Sequence, residues 1–159
     1  MLSKGGVGKS TISTNLALAL SRENLNVGLL DADIYGPSLP RMLGALNQKP
    51  DVSGDNKLQP IERYGLQLMS IGFLIDEDSA VVWRGPMLFK AINQFLNDVA
   101  WKDIDVLVID LPPGTGDVQL SLAQKTPIDG GIIVSTPQNI SLIDAKKAVD
   151  MLERLNIPM

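Results

Sequence analysis

The chain has 159 residues, a formal net charge of −4 and an isoelectric point near 4.7. This acidic balance argues against a nucleic-acid partner, which needs a basic face, and against binding to an anionic membrane surface. The chain contains no cysteine and no histidine. Disulfides, thiol nucleophiles, histidine bases and soft metal sites are therefore excluded, and polar chemistry must come from carboxylates, lysines, hydroxyls and backbone groups.

A glycine-rich loop lies at the start of the chain, where residues 4–11 read Lys-Gly-Gly-Val-Gly-Lys-Ser-Thr. The loop holds three glycines: Gly5, Gly6 and Gly8. Glycines let successive backbone N–H groups point inward and form a nest for anionic oxygens. The pattern predicts a phosphate-binding loop in which Lys9 contacts the terminal phosphates and the Ser10 hydroxyl ligates Mg²⁺. Ser3 stands where this pattern usually has glycine.

The order of apolar runs predicts an α/β fold with a mostly parallel sheet flanked by helices. The predicted helices have apolar residues at helical spacing and span 9–23, 86–99 and 141–155. The predicted strands are short apolar runs at 27–30, 66–70, 106–109 and 131–135. The stretches 31–40 and 44–62 are predicted to be irregular loops because they are rich in glycine, proline and polar residues. In the last helix, the residues predicted to face inward are Leu142, Ala145, Val149, Leu152 and Leu155.

Both ends of the sequence resemble cuts through a larger domain. A phosphate-binding loop follows a strand, but only Met1 and Leu2 lead into this one. Residues 157–159 resemble the beginning of another strand. We therefore expect residues 1–159 to form a single nucleotide-binding domain that is truncated at both ends. Its missing first strand would lie inside the sheet, and the loss should cost substantial burial unless another segment takes its place.

An acidic residue follows the third predicted strand. Asp110 comes directly after the apolar run 106–109, at the carboxyl edge of the sheet, where ligands of open α/β sheets bind. The pattern predicts Asp110 to be the carboxylate on the magnesium side of a nucleotide site. The loop that follows contains Gly114 and Gly116. We expect this loop to be mobile, as a segment that senses a terminal phosphate must be.

Asp31 and Asp33 follow the first predicted strand, on the same side of a chain that is still extended. One of them would orient an attacking water, and Asp33, which is further from the sheet, is the preferred candidate. Two weaker candidates have equally simple structural explanations. Arg84 beside Trp83 would contact a phosphate or stack on the tryptophan, and residues 136–139 would form a wall of the site or a plain turn.

Taken together, these motifs resemble the deviant phosphate-loop ATPases, the class of the MinD and ParA proteins, whose mark is the early lysine matched by Lys4. The segments 31–38, 83–86, 110–117 and 135–138 narrow the resemblance to the Mrp/ApbC family of iron–sulfur cluster carriers. The resemblance implies a P-loop fold and a Mg²⁺-dependent ATPase that acts as a homodimer in iron–sulfur cluster assembly. It implies apoprotein clients in the bacterial cytoplasm or mitochondrial matrix, with no nucleic acid and no membrane as partner.

The same resemblance implies roles for individual residues. Lys4 would reach across the dimer to the nucleotide of the partner subunit, and Asp33 would act at the hydrolytic water. Asp110 and Ser10 would be on the metal side. The residues expected to bind ATP are Gly5, Gly6, Val7, Gly8, Lys9, Ser10, Thr11, Asp31 and Gly114. The Cys-x-x-Cys pair of the family is absent from this chain, so the iron–sulfur cluster belongs to the parent family and not to these residues.

Two other interpretations stay open. One is a positioning ATPase of the MinD or ParA kind, against which the acidic composition and the lack of a basic face count. The other is a truncated remnant that binds nucleotide without activity, because its first strand and its base-reading segment would be missing.

Overall fold

A computed structural model of the chain describes residues 6–33, 36–74, 85–114 and 116–159. In chain order the elements are α1 (Lys9–Arg22), β1 (Val27–Asp31), α2 (Leu39–Met42), β2 (Ile61–Arg63), β3 (Leu66–Ser70), a 3-10 turn (Ile71–Phe73), α3 (Gly85–Asn97), β4 (Val106–Asp110), α4 (Asp117–Lys125) and α5 (Asn139–Arg154). The predicted α/β class is confirmed.

The described strands form a mixed sheet in the order β2-β3-β1-β4. β1 pairs in parallel with β3 on one side and with β4 on the other, while β2 joins β3 as an antiparallel hairpin. The register places Asp31 opposite Ser70 on β3 and opposite Asp110 on β4. Three polar side chains therefore lie side by side at the carboxyl edge of the parallel strands.

β1 is the central strand of the described sheet, and all five of its residues are buried. A central parallel strand is covered on both faces, which explains its continuous apolar run. Gly28 is required there by close packing. A Cβ at this position would lie 2.8 Å from Leu107 Cδ1 and 3.1 Å from Trp101 Cζ3. The indole of Trp101 thus packs directly on the backbone of β1, and its Nε1 donates to the Phe95 carbonyl at 3.3 Å.

α1 crosses the sheet so that its first residue lies near the carboxyl edge. Its last turn is at the opposite edge, where Ser21 Oγ donates to the Gly65 carbonyl at 3.3 Å, just before β3 begins. The helix has 14 residues, which corresponds to a length of about 21 Å. That length is sufficient to span a five-residue strand, which is about 16 Å long. The loop before α1 is therefore on the same side of the molecule as Asp31 and Asp110.

Several sequence-based predictions of secondary structure were wrong. Residues 131–135 form no strand, and only Ile133 is a bridge position. A strand needs a neighbour to pair with, and the described part of the sheet ends at β4 before it reaches this segment. The predicted loops contain α2 and β2, and α4 was not predicted at all. The short α2 and β2 depend on tertiary contacts more than on local pattern.

The predicted inward face of α5 was also partly wrong. Leu142 is 49% exposed, and the buried residues of the helix are Ser141, Ala148 and Leu152. These three residues are separated by seven and four positions, which places them on one side of a helix. Leu142 is one position, or about 100°, away from that face. Because α5 carries apolar residues on more than one side, its sequence pattern did not determine which side is buried.

Candidate functional site

The loop before α1 has the backbone conformation that a nest of N–H groups requires. Gly6 and Gly8 have φ angles of 83° and 94°, in the left-handed region that favours glycine. Gly8 is the N-cap of α1, so the loop leads directly into the positive end of the helix dipole. Lys9 is the first residue of α1 and is only 6% exposed. A buried cation at the N-terminus of a helix is the arrangement that binds a polyanion such as a phosphate chain.

Asp31 is completely buried at the end of β1 and accepts three hydrogen bonds. Its Oδ2 accepts from the Leu39 N–H and from Ser70 Oγ, both at 3.1 Å, and its Oδ1 accepts from the Asp33 N–H at 3.2 Å. The two N–H groups belong to the two ends of the segment 33–39. Asp31 therefore holds the loop that carries Asp33, a role that the sequence did not indicate.

The pKa of Asp31 is raised from 3.8 to about 7. Burial is the main cause, because removal from water disfavours the charged carboxylate. The hydrogen bonds from Leu39, Asp33 and Ser70 act in the opposite direction, while the nearby charge of Asp110 raises the pKa further. The two carboxyl groups lie at the same level of adjacent strands, so their negative charges repel each other. A bound cation would reduce this repulsion.

Asp110 provides the most direct sign of a ligand. It is fully buried at the end of β4, and neither of its carboxyl oxygens has a hydrogen-bond partner among the described residues. An unpaired buried carboxylate costs free energy, so each such group in a folded protein calls for an explanation. Oxygen donors of this kind suit a hard divalent cation such as Mg²⁺. The environment of Asp110 thus fits the metal that the phosphate-loop pattern implies.

Among the residues that the structure describes, no group of three or more acidic side chains is arranged to hold a metal ion. Mg²⁺ at nucleotide sites usually takes one or two protein ligands and completes its shell with water and phosphate oxygens. Ser10, in the first turn of α1, and Asp110 are the residues of this chain that could serve it.

Asp33 lies just beyond the sheet and is half-buried. The chain has turned by this point, because the Asp33 N–H is directed back to the carboxylate of Asp31. The two acids are therefore not equivalent members of an extended strand, as the sequence had suggested. Asp31 is enclosed by protein donors, whereas Asp33 lies at the rim of the site.

The loop after β4 contains a further positioning contact that the sequence did not reveal. Gln119 on α4 is buried, and its Nε2 donates to the Pro112 carbonyl at 3.0 Å. Gly114 follows with a φ angle of 98°, and Gly116 is the N-cap of α4. The start of this loop is thus fastened to α4, and a left-handed glycine turns the chain beside Asp110. No local pattern around Gln119 would have identified this contact.

The structure describes only some of the remaining candidate residues. Lys4, Gly5, Trp83 and Arg84 lie outside the described residues. Val7, Ser10 and Thr11 lie in the loop or the first turn of α1, as predicted. The segment 136–139 leads into α5, and Thr136 Oγ1 is hydrogen-bonded to Ser141 Oγ at 2.9 Å. This geometry is that of a turn at a helix entrance.

Comparisons with known proteins identify the family of this chain. The family model described as ParA, NUBPL iron-transfer P-loop NTPase matches residues 1–159. Curated relatives named iron–sulfur cluster carrier protein include one from Haemophilus influenzae, which is 54% identical over 156 residues, and one from Escherichia coli K12, which is 55% identical over 156 residues. Each match includes 98% of this chain but only 42% of the relative. The chain belongs to the family of iron-transfer P-loop NTPases, and it spans less than half the length of these relatives.

Solved structures support the same fold. A nucleotide-binding protein from Archaeoglobus fulgidus, determined in complex with ADP, is 40% identical to this chain and aligns with a TM-score of 0.83. The alignment covers all of this chain and 61% of the other. The chimeric protein CapA2B2 aligns with a TM-score of 0.67 at 18% identity, which supports the fold alone. Within the part of the chain that is described, no helix is long and apolar enough to cross a bilayer.

The raised pKa of Asp31 predicts how stability depends on pH. Between about pH 4 and pH 7 the native state keeps a proton on Asp31 that the unfolded chain has lost. The free energy of unfolding should therefore fall as the pH rises through this range. The expected fall is a few kcal/mol, since one pKa unit corresponds to about 1.4 kcal/mol.

Urea unfolding at pH 5, 6, 7 and 8 measures this effect. The matched variant is Asp31→Asn, which has no titrating group at the position and should show a flatter profile, whatever its absolute stability. Parallel profiles for the two proteins would contradict the assignment of the raised pKa to Asp31.

Proposed function

We propose that this chain binds and hydrolyses MgATP as the nucleotide-binding part of a protein that assembles or transfers iron–sulfur clusters. Several curated relatives carry the name iron–sulfur cluster carrier protein, and a 40% identical structure holds ADP. The buried carboxylate of Asp110 is the observation that carries the proposal, because both of its oxygens lack a donor. A phosphate-loop helix begins at the same edge of the sheet, so a polyphosphate and its cation would satisfy both features together.

The residues of the chain divide the work of nucleotide binding. The backbone N–H groups of the loop at Gly6 and Gly8 and the positive end of α1 surround the phosphate oxygens. Lys9 neutralises the terminal phosphates as a point charge. Ser10 and Asp110 would hold Mg²⁺, which supplies charge neutralisation on the phosphate oxygens when bound. Lys9 and Asp110 are buried, and burial strengthens the electrostatic interactions of these two side chains.

Hydrolysis needs a group that orients the attacking water. Asp33 is the candidate because it is at the rim of the site, whereas the carboxylate of Asp31 already accepts three hydrogen bonds. Asp31 keeps the segment 33–39 closed on itself and so fixes where Asp33 lies. This arrangement separates a positioning carboxylate from a catalytic one on neighbouring residues of a single loop.

The dimer and the cluster rest on the family resemblance. Lys4 is proposed to contact the nucleotide of the partner subunit, where a cation supplied in trans stabilises the charge of the transition state. A cluster would be held by cysteine ligands, and this chain has no cysteine. Cluster binding and apoprotein clients are therefore proposed for the longer protein. A location in the bacterial cytoplasm or the mitochondrial matrix stays a prediction.

Lys9→Ala should abolish MgATP binding, because it removes the buried cation at the first position of α1. Isothermal titration with MgATP measures the affinity, and circular dichroism establishes that the variant is folded. Lys146→Ala is the matched control, since Lys146 is an exposed lysine on α5. Unchanged affinity in a folded Lys9→Ala protein would refute the phosphate-binding role of the loop.

Asp33→Asn should leave MgATP affinity nearly unchanged and slow hydrolysis by about 10²–10⁴-fold, the usual cost of losing one positioned acid–base group. Phosphate release under saturating MgATP gives the rate. Asp51→Asn removes an exposed carboxylate elsewhere and should be neutral. If Asp33→Asn hydrolyses ATP at the normal rate, the role of Asp33 at the water is wrong.

Lys4→Ala should retain MgATP binding within a few-fold and lose both hydrolysis and nucleotide-dependent dimerisation. Turnover per subunit against protein concentration, with light scattering on the same samples, provides the measurement. Lys90→Ala, at an exposed position on α3, is the control. A wild-type protein that stays monomeric in MgATP with concentration-independent turnover would argue against action across a dimer.

A further inference from the structure

The turn that follows β3 is connected by hydrogen bonds to the end of β1. Ser70, the last residue of β3, is completely buried and lies opposite Asp31 in the register of the sheet. Its Oγ donates to Asp31 Oδ2 at 3.1 Å and accepts from the Gly72 N–H at 3.0 Å. A hydroxyl has one proton to donate and lone pairs to accept, so one side chain serves both contacts. Ser70 therefore joins the 3-10 turn to the buried carboxylate.

The 3-10 turn is itself fixed in the core of the protein. Ile71 is completely buried and Phe73 is nearly so, and the Leu74 N–H closes the turn onto the Ile71 carbonyl at 3.0 Å. Two buried apolar side chains on a turn of three residues restrict its movement, because displacing either of them would open a cavity in a close-packed interior. The Ser70 hydroxyl is thus held at Asp31 by a rigid element.

Asp31 in turn orients the backbone at Asp33. Its Oδ2 accepts from Ser70 and from the Leu39 N–H, both at 3.1 Å, whereas its Oδ1 accepts from the Asp33 N–H at 3.2 Å. The two donors to Oδ2 fix the plane of the carboxylate, and that plane determines where Oδ1 lies. The Ser70 hydroxyl is therefore linked to the backbone of Asp33 through a single side chain, that of Asp31.

A second contact of the same turn is made by Gly72. A Cβ at this position would lie 2.9 Å from Pro37 Cβ and 3.1 Å from Pro37 Cγ. Carbon atoms are normally about 3.5–4.0 Å apart at their optimal separation, so the proline ring packs on the backbone of Gly72 and leaves no room for a side chain. Pro37 is two residues before Leu39, whose N–H donates to Asp31. The turn after β3 thus contacts both Asp31 and the chain beside its Leu39 donor.

Building on the role proposed above for Asp33 at the attacking water, we propose that Ser70 and Gly72 are positioning residues for ATP hydrolysis. They fix the Asp31 carboxylate and, through it, the backbone from which the Asp33 side chain extends. Both residues act through Asp31 and not on the nucleotide, so they affect the rate of hydrolysis and not the binding of MgATP. A misplacement of about 1 Å in a group that acts on the reacting atoms can cost about 10²-fold in rate.

Ser70→Ala removes a donor to Asp31 and leaves the Gly72 N–H without its acceptor. It should lower kcat for ATP by about 10–10²-fold and leave the Kd of MgATP within a few-fold, because the phosphate loop belongs to another element. Ser70→Thr keeps the hydroxyl and should recover most of the lost rate. Equal losses of kcat in the two variants would show that the site responds to packing alone and would overturn the role of the hydroxyl.

Amide hydrogen exchange tests the positioning role without any need for hydrolysis. In Ser70→Ala, the Asp33 amide should exchange about tenfold faster than in the wild type, relative to the amide of Leu30 in the central strand as an internal reference. Gly72→Ala, which displaces Pro37, should have the same effect and applies if Ser70→Ala does not fold. Gly54→Ala is the matched control, because a Cβ at Gly54 meets nothing within 4 Å. Unchanged exchange at Asp33 in a folded Ser70→Ala or Gly72→Ala protein would overturn the proposal.

A double variant establishes whether Ser70 acts through Asp33. In an Asp33→Asn background, Ser70→Ala should cost little further rate, because the group that it positions is already lost. Fully additive losses would overturn the proposal. A normal rate in Asp33→Asn alone would refute the role of Asp33 at the water and, with it, the role of Ser70 in hydrolysis. A slow Asp33→Asn beside a Ser70→Ala of normal rate and normal Asp33 exchange would overturn the positioning role alone.

Discussion

The two carboxyl groups buried side by side at the end of β1 and β4 are the feature on which the rest of the site depends. Removing an ionised carboxylate from water costs several kcal/mol, and a second one nearby adds repulsion. Asp31 is compensated by two N–H groups and a hydroxyl. No residue in the described part of the chain donates a hydrogen bond to Asp110. The buried carboxylate of Asp110 therefore lacks a compensating donor among the described residues. A bound cation would provide that compensation.

The burial of these two carboxyl groups also explains the arrangement of the surrounding loops. Two donors to Asp31 are the N–H groups at the two ends of the segment 33–39. The same hydrogen bonds therefore stabilise the buried carboxylate and hold the two ends of this loop together. The loop after β4 is held by a different contact. Gln119 donates a hydrogen bond to the Pro112 carbonyl and not to the Asp110 side chain. One acid organises protein structure, and the other stays available to a ligand.

β4 is the last strand of the described part of the sheet. A parallel strand is stable when both of its edges are paired and both of its faces are covered. Among the described strands, the one that pairs with β4 is β1. Val106, Leu107 and Ile109 of β4 are half-buried, and residues 131–135 form no strand within the described part of the chain.

The sequence by itself determined the α/β class, the phosphate loop, the strand that ends in Asp110 and the family, because each depends on local patterns such as glycine spacing or a short apolar run followed by an acid. The tertiary structure alone decided that Asp31 is enclosed by Leu39 and Ser70 and that Asp110 has no donor. It also decided that α5 buries Ala148 in place of Leu142 and that Gln119 holds Pro112. These contacts join residues from different elements, and no local pattern encodes which elements meet. Residues 131–135 show the same limit, since their apolar run has strand propensity while strand formation requires a partner that lies elsewhere.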